Sequence, residues 1–286
     1  MPIIPISSAN DPRVRMYCEL PKSQYASDAN LFITEGDKVT QHIFSGRYPP
    51  HSLLLEASHV RRFAALAGPE LPIYVAERDV MSATVGFKFH RGVLGCGYRR
   101  PLPAPRDVIP PVPQSCLLAI CPEMHDPTNL GTLIRTALAL GVDALLLGRS
   151  CADPLSRRVI RVSMGAALCL PIAHLEPLAQ QLEIVGDELQ VELCATVLDA
   201  TAEPLGGFVR SARTALLFGS EGYGLPAEAI AHCRRRITIP MPPATDSLNA
   251  AVAAGIFLHY VSKLSPTSPS NQQVGTTTAP HGELQR

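Results

Sequence analysis

From residue 115 onward, short apolar runs alternate with segments whose apolar positions recur every three or four residues. The runs at 116–120, 144–147, 191–198, 215–218 and 237–239 read as buried strands. Helical patterns fill 129–140, 154–168, 176–186 and 226–233, and a last one, 247–263, follows the final strand. In the first of these, Leu130, Leu133, Ile134, Ala137 and Leu138 make one stripe, and Arg135 lies off it by about a third of a turn. Alternation of this kind predicts a parallel sheet covered on both faces, with ligands bound where the carboxyl ends of strands open into loops. The first hundred residues are less regular. "LFITEGDKV" reads as a strand entering a helix, and "HSLLLEA", "LPIYVAE" and "GVLGCGYR" read as further strands, which predicts a small α/β unit.

Between the two regions lies "RRPLPAPRDVIPPVPQ", residues 99–114, whose six prolines predict an extended, semi-rigid linker. The expected organisation is therefore an N-terminal domain over 1–98, this linker, a larger α/β domain over 115–264, and a polar, flexible tail over 265–286. With 286 residues, 46% of them apolar, the chain has ample material for cores. No run approaches the roughly 18 apolar residues of a membrane span, and "MPIIPISSANDPRVR" is no signal peptide, so a cytoplasmic protein without a membrane partner is expected. Eight scattered cysteines without C-x-x-C predict free thiols, and with no H-E-x-x-H either, no metal is expected. The formal net charge of zero neither suggests nor excludes a polyanionic partner, whereas local clusters such as Arg157, Arg158 and Arg161 are candidates for phosphate contacts.

Three strand-to-helix loops carry unusual polar residues. In "HDPTNLGTLIR", Asn129 falls at or near a helix N-cap, so helix capping competes with any functional role. For Arg135 the competing role is that of a solvated or salt-bridged surface arginine. "GSEGYGLP" has the order G-x-x-G-x-G, which is neither the dinucleotide fingerprint nor a P-loop nor a nucleophile elbow. It leaves backbone free of Cβ atoms, suited to close contact with a flat ligand or simply to a tight turn. In "IPMPPATDSLNAAVAAGIF", Asp246 or Ser247 is expected to cap the final helix, and Asn249 is placed past the cap.

Together, and in this order, the three loops resemble the SpoU/TrmH family of RNA ribose 2′-O-methyltransferases in the SPOUT superfamily. The first motif is matched by Asn129, Gly131, Arg135 and Thr136, the second by "LLFGSEGYGLP", and the third by "IPM" at 239–241 with "DSLNAAVAAGI" at 246–256. The likeness spans about 116–263, and "CADPLSRRVIRVSMGA" is similar to an intervening family segment. More loosely, the N-terminal region resembles the family's small RNA-binding domain. The resemblance implies an α/β trefoil-knot fold, a homodimer with its active site near the interface, and S-adenosylmethionine as methyl donor. It implies cofactor contacts at Thr196, Gly219, Ile239 and Leu248, and catalytic or near-catalytic positions at Asn129, Arg135, Glu221, Ser247 and Asn249. The expected reaction is methylation of a ribose 2′-hydroxyl in RNA, with 23S rRNA favoured by the added domain. A tRNA substrate and a non-catalytic RNA-binding assembly factor are the alternatives. A nicotinamide-dependent oxidoreductase has only the α/β alternation behind it. Because arginine stays protonated, Arg135 is expected to grip an RNA phosphate while Asn129 and Ser247 orient the hydroxyl. Glu221 is expected to hold a positive partner, Arg135 first among them. Two departures stand out: Pro242 and Pro243 follow "IPM" where the family has glycine, and Ala251 stands where it often has serine or threonine.

Overall fold

The computed structural model describes residues 2–20, 25–242 and 247–263. The expectations placed on Asp246, on Pro243 and on the tail from Ser265 fall outside the described residues. The strands form two sheets. The first contains β1 (Ile3–Pro5), β2 (Leu31–Glu35), β3 (Pro50–Leu55), β4 (Ile73–Val75) and β5 (Val93–Tyr98) in the order β1-β4-β3-β5-β2. Its first three strands run parallel, and β5 runs antiparallel to both its neighbours.

The second sheet contains β6 (Cys116–Cys121), β7 (Ala144–Leu147), β8 (Ile172–His174), β9 (Glu192–Thr196), β10 (Glu203–Pro204), β11 (Arg213–Leu217) and β12 (Arg235–Thr238). Every pair is parallel, in the order β10-β12-β9-β11-β6-β7-β8. The apolar runs are strands because both faces are covered. Along β6, Leu117, Ala119 and Cys121 point to one core, while Cys116, Leu118 and Ile120 point to the other. The first face is closed by the helix Pro127–Ala139, through Leu130, Leu133, Ile134 and Ala137, and by the helix Ala250–Lys263, through Ala254, Phe257, Leu258 and Val261. Val185 and Ala229 help close the other.

Several expected helices are shorter than their patterns, two of them for reasons the backbone shows. The segment 154–168 is a helix only over Arg157–Val162, because Met164 and Gly165 both take positive φ, 53° and 85°. A side chain at Gly165 would strike the His42 ring, 2.6 Å from an added Cβ. The pattern over 176–186 becomes a helix over Leu178–Glu183 continued by a π-helical turn, Ile184–Glu188.

The two sheets meet through a buried apolar cluster in which Phe32, Val39, Ile43 and Tyr48 face Leu155, Ile160 and Leu168. Arg157 pairs there with Glu35, whose side chain is only 5% exposed, and its guanidinium lies 5.3 Å from the Phe87 ring centre. Arg99 adds a 2.8 Å ion pair to Asp153 and donates to the Leu31 and Leu155 carbonyls. Arg157, one of the cluster expected to meet phosphates, is thus engaged between the sheets through its Nε. Arg157→Ala leaves Glu35 buried without its cation. The expected cost is about 3 to 5 kcal/mol, read as a lowered urea midpoint of the full chain. Replacing Glu35 and Arg157 together by methionine should recover most of it.

Candidate active site

The order of the second sheet reverses between β6 and β11, so the loops leaving these strands diverge and open a crevice. A cavity of about 440 Å³ lies on the β11 side of it, walled by the carboxyl ends of β9, β11 and β12 and by the start of the last helix. Thr196, Gly219, Ile239 and Leu248, the four expected cofactor contacts, all line it, as do Ser247 and Glu221. Its floor is apolar, with Phe218 and Phe257 beneath. Thr196 is held by a 2.7 Å bond from its hydroxyl to the Leu217 carbonyl, and the backbone there is tied by Val197 N–H to the Ile237 carbonyl.

The glycine loop has a closed base and a projecting tip. Phe218 N–H bonds to the Ile120 carbonyl, and Ser220 and Gly224 exchange two backbone bonds of 3.0 Å. Gly224 turns the chain back with φ 68°. The closure brings the Gly224 and Leu225 backbone over Gly219 so closely that an added Cβ would sit 2.2 Å from the Gly224 carbonyl carbon. The cavity wall is thus backbone, as a flat ligand requires.

Beside this cavity lies a smaller one of about 190 Å³, reached by Asn129 and His125 and bordered by the same Ser220–Tyr223 tip. The helix at its edge begins at Asp126, with Pro127 at its first position. Asn129 lies near the cap and not at it. Asp126 caps the helix by accepting from the N–H groups of Asn129 and Thr128, bonds that hold its carboxyl below the usual range. The Asn129 side chain is thereby free to face the site. The final helix is likewise capped by Asn249 rather than Ser247: its Oδ1 accepts from the N–H groups of Ala251 and Val252 at 3.0 and 3.2 Å. With that oxygen committed, its amide NH₂ faces outward and donates to Asn129 Oδ1 at 2.9 Å and to Glu221 Oε1. Three loops remote in sequence are joined by this one amide.

Glu221 therefore holds Asn249, not Arg135. Arg135 lines neither cavity, is exposed, and stands six residues along the helix from Asn129, on a different face. Asp126, Phe257 and Tyr223 belong to the site and were not singled out by the sequence reading; "DP" before a helical pattern was an available signal for the first. All eight cysteines are free thiols, and burial pushes Cys96, Cys151 and Cys233 up to about 12, so these three are not thiolate nucleophiles. Among the described residues no helix is long and apolar enough to cross a membrane.

Residues 117–259 match the SpoU rRNA Methylase family. The chain is 36% identical over 262 residues to an uncharacterized tRNA/rRNA methyltransferase of Mycobacterium tuberculosis, covering 88% of each. It is 30% identical over 204 residues to a 23S rRNA (guanosine-2′-O-)-methyltransferase of Acinetobacter baylyi, covering 70% of this chain and 82% of that one. An AdoMet-bound rRNA methyltransferase of Sinorhizobium meliloti superposes with a TM-score of 0.77 at 27% identity, over 91% of this chain and 97% of that one. Ordered motifs, parallel sheet, cavity and relatives agree: the chain belongs to the SpoU rRNA methylase family.

Proposed function

We propose that this protein methylates a ribose 2′-hydroxyl of 23S rRNA using S-adenosylmethionine. The observation that carries this reading is the 440 Å³ backbone-walled cavity directly beside the Asn129–Asn249–Glu221 chain. Its size and its apolar floor suit a nucleoside joined to an amino acid. Thr196, Gly219, Ile239 and Leu248 would hold that molecule. When bound it supplies a methyl group already activated on a sulfonium sulfur.

The protein's own groups then position the acceptor. Asn129, steadied by Asn249, orients the ribose hydroxyl together with Ser247. Glu221 keeps the Asn249 amide turned toward Asn129 and holds the loop tip against the final helix. Arg135, always protonated, grips an RNA phosphate through its planar fork. Residues 1–98 form the RNA-binding domain, and the 115–264 domain carries the trefoil knot. The protein acts as a cytoplasmic homodimer. Leu138 on one site helix, and Val252 and Ile256 on the other, are 39%, 53% and 41% exposed, apolar surface that a second copy would cover.

The test is to map 2′-O-methyl marks on total RNA from cells with and without the gene. Loss of one mark in 23S rRNA is expected. Loss of a tRNA mark instead would support the alternative substrate, and an unchanged map would overturn the reading.

A further inference from the structure

The loop tip carries one side chain that the site does not yet use. Tyr223 is 92% exposed, the most exposed large apolar side chain among the described residues, and makes no hydrogen bond among them. It is not on a loose segment. The tip is closed at its base by the paired Ser220–Gly224 bonds and tied at Glu221 to the cap of the final helix. The ring stands on the ridge between the two cavities, and it borders both. A ring left in water on a tied loop is poorly explained by folding, since burying it would be favourable. It is well explained by a flat partner arriving from solvent, since unpaired bases stack on such rings.

We propose that Tyr223 is a substrate-binding residue: its ring stacks on an unpaired base of the RNA at the mouth of the cofactor cavity. This rests on the proposed function and adds the contact that holds the nucleotide while its ribose enters the Asn129 cavity. Stacking tolerates any base, so Tyr223 sets affinity and placement, not sequence.

Two measurements test it. The first is the kinetics of methyl transfer to unmodified 23S rRNA transcribed in vitro. Tyr223→Ala should raise KM for RNA roughly ten- to a hundredfold, a larger effect than on kcat or on S-adenosylmethionine affinity. Tyr223→Phe should restore KM. An unchanged KM, a Phe variant as poor as Ala, a parallel loss of S-adenosylmethionine affinity, or a changed oligomeric state would each overturn the assignment. The second measurement needs no turnover. The chain has no tryptophan, so Tyr223→Trp installs a single tryptophan, selectively excited beside the remaining tyrosines, whose emission should be quenched when the same RNA is added. RNA that binds without quenching overturns stacking. Should the wild-type protein methylate no RNA at all, the functional reading fails, and the quenching still decides the contact.

Discussion

Gly219→Ala should lower the affinity for S-adenosylmethionine by at least about a hundredfold, about 2.7 kcal/mol. The added Cβ would lie 2.2 Å from the Gly224 carbonyl carbon, 2.4 Å from Leu225 N and 2.5 Å from the Gly224 oxygen. All three are backbone atoms, so no side chain can swing aside. Either the Ser220–Gly224 pairing opens or the end of β11 retreats. The Phe218 N–H, fixed to β6, resists retreat. The pairing therefore gives way, and the wall of the cavity goes with it. Both sheets lie away from the clash, so the chain should remain folded by circular dichroism. Gly207→Ala, where the new methyl meets nothing within 4 Å, is the matched control. Titration calorimetry decides: a Gly219→Ala dissociation constant within about threefold of wild type would sink the account of the loop.

Arg135→Ala should cut methyl transfer at least about a hundredfold while leaving cofactor affinity and thermal stability close to wild type. The argument is one of position. Six residues of helix carry Arg135 about 9 Å along the axis from Asn129, and it lines neither cavity. It is exposed, and no ion pair engages it among the described residues, so no such contact is lost with it. A protonated, unpaired guanidinium at the edge of a site that takes RNA is suited to a phosphate. Arg135→Lys keeps the charge but loses the planar fork and should recover only part of the activity. Turnover by the alanine variant at the wild-type rate would remove Arg135 from the reaction.

The architecture of the second sheet was legible because its strands are short, apolar and doubly covered. Runs such as 116–120 needed only their composition to be recognised. Helix ends were less legible. Asn129 could be placed only at or near the cap although Asp126-Pro127 is the stronger start signal, and the Met164-Gly165 break is invisible to apolar spacing. At the edge of the first sheet, β1 escaped notice: three residues, two of them mostly exposed, leave no pattern. In the site, the four expected cofactor contacts rest on the family resemblance, and the structure brings them to one cavity. The partner of Glu221 was not legible, because Asn249 and Asn129 are 28 and 120 positions away from the atoms they meet. Charge misled for the same reason: Arg157 looked like a surface cation until Glu35, 122 residues earlier, was seen beneath it.

That buried pair, with the apolar seam around it, has a mechanical consequence. It ties the first sheet to the second, and so sets the offset between the N-terminal sheet and the reaction pocket. Under the proposed function, an RNA is accepted only if its gripping point and its acceptor ribose are separated by that same length. The molecule then works as a caliper, selecting one folded RNA shape by measurement instead of by reading its bases.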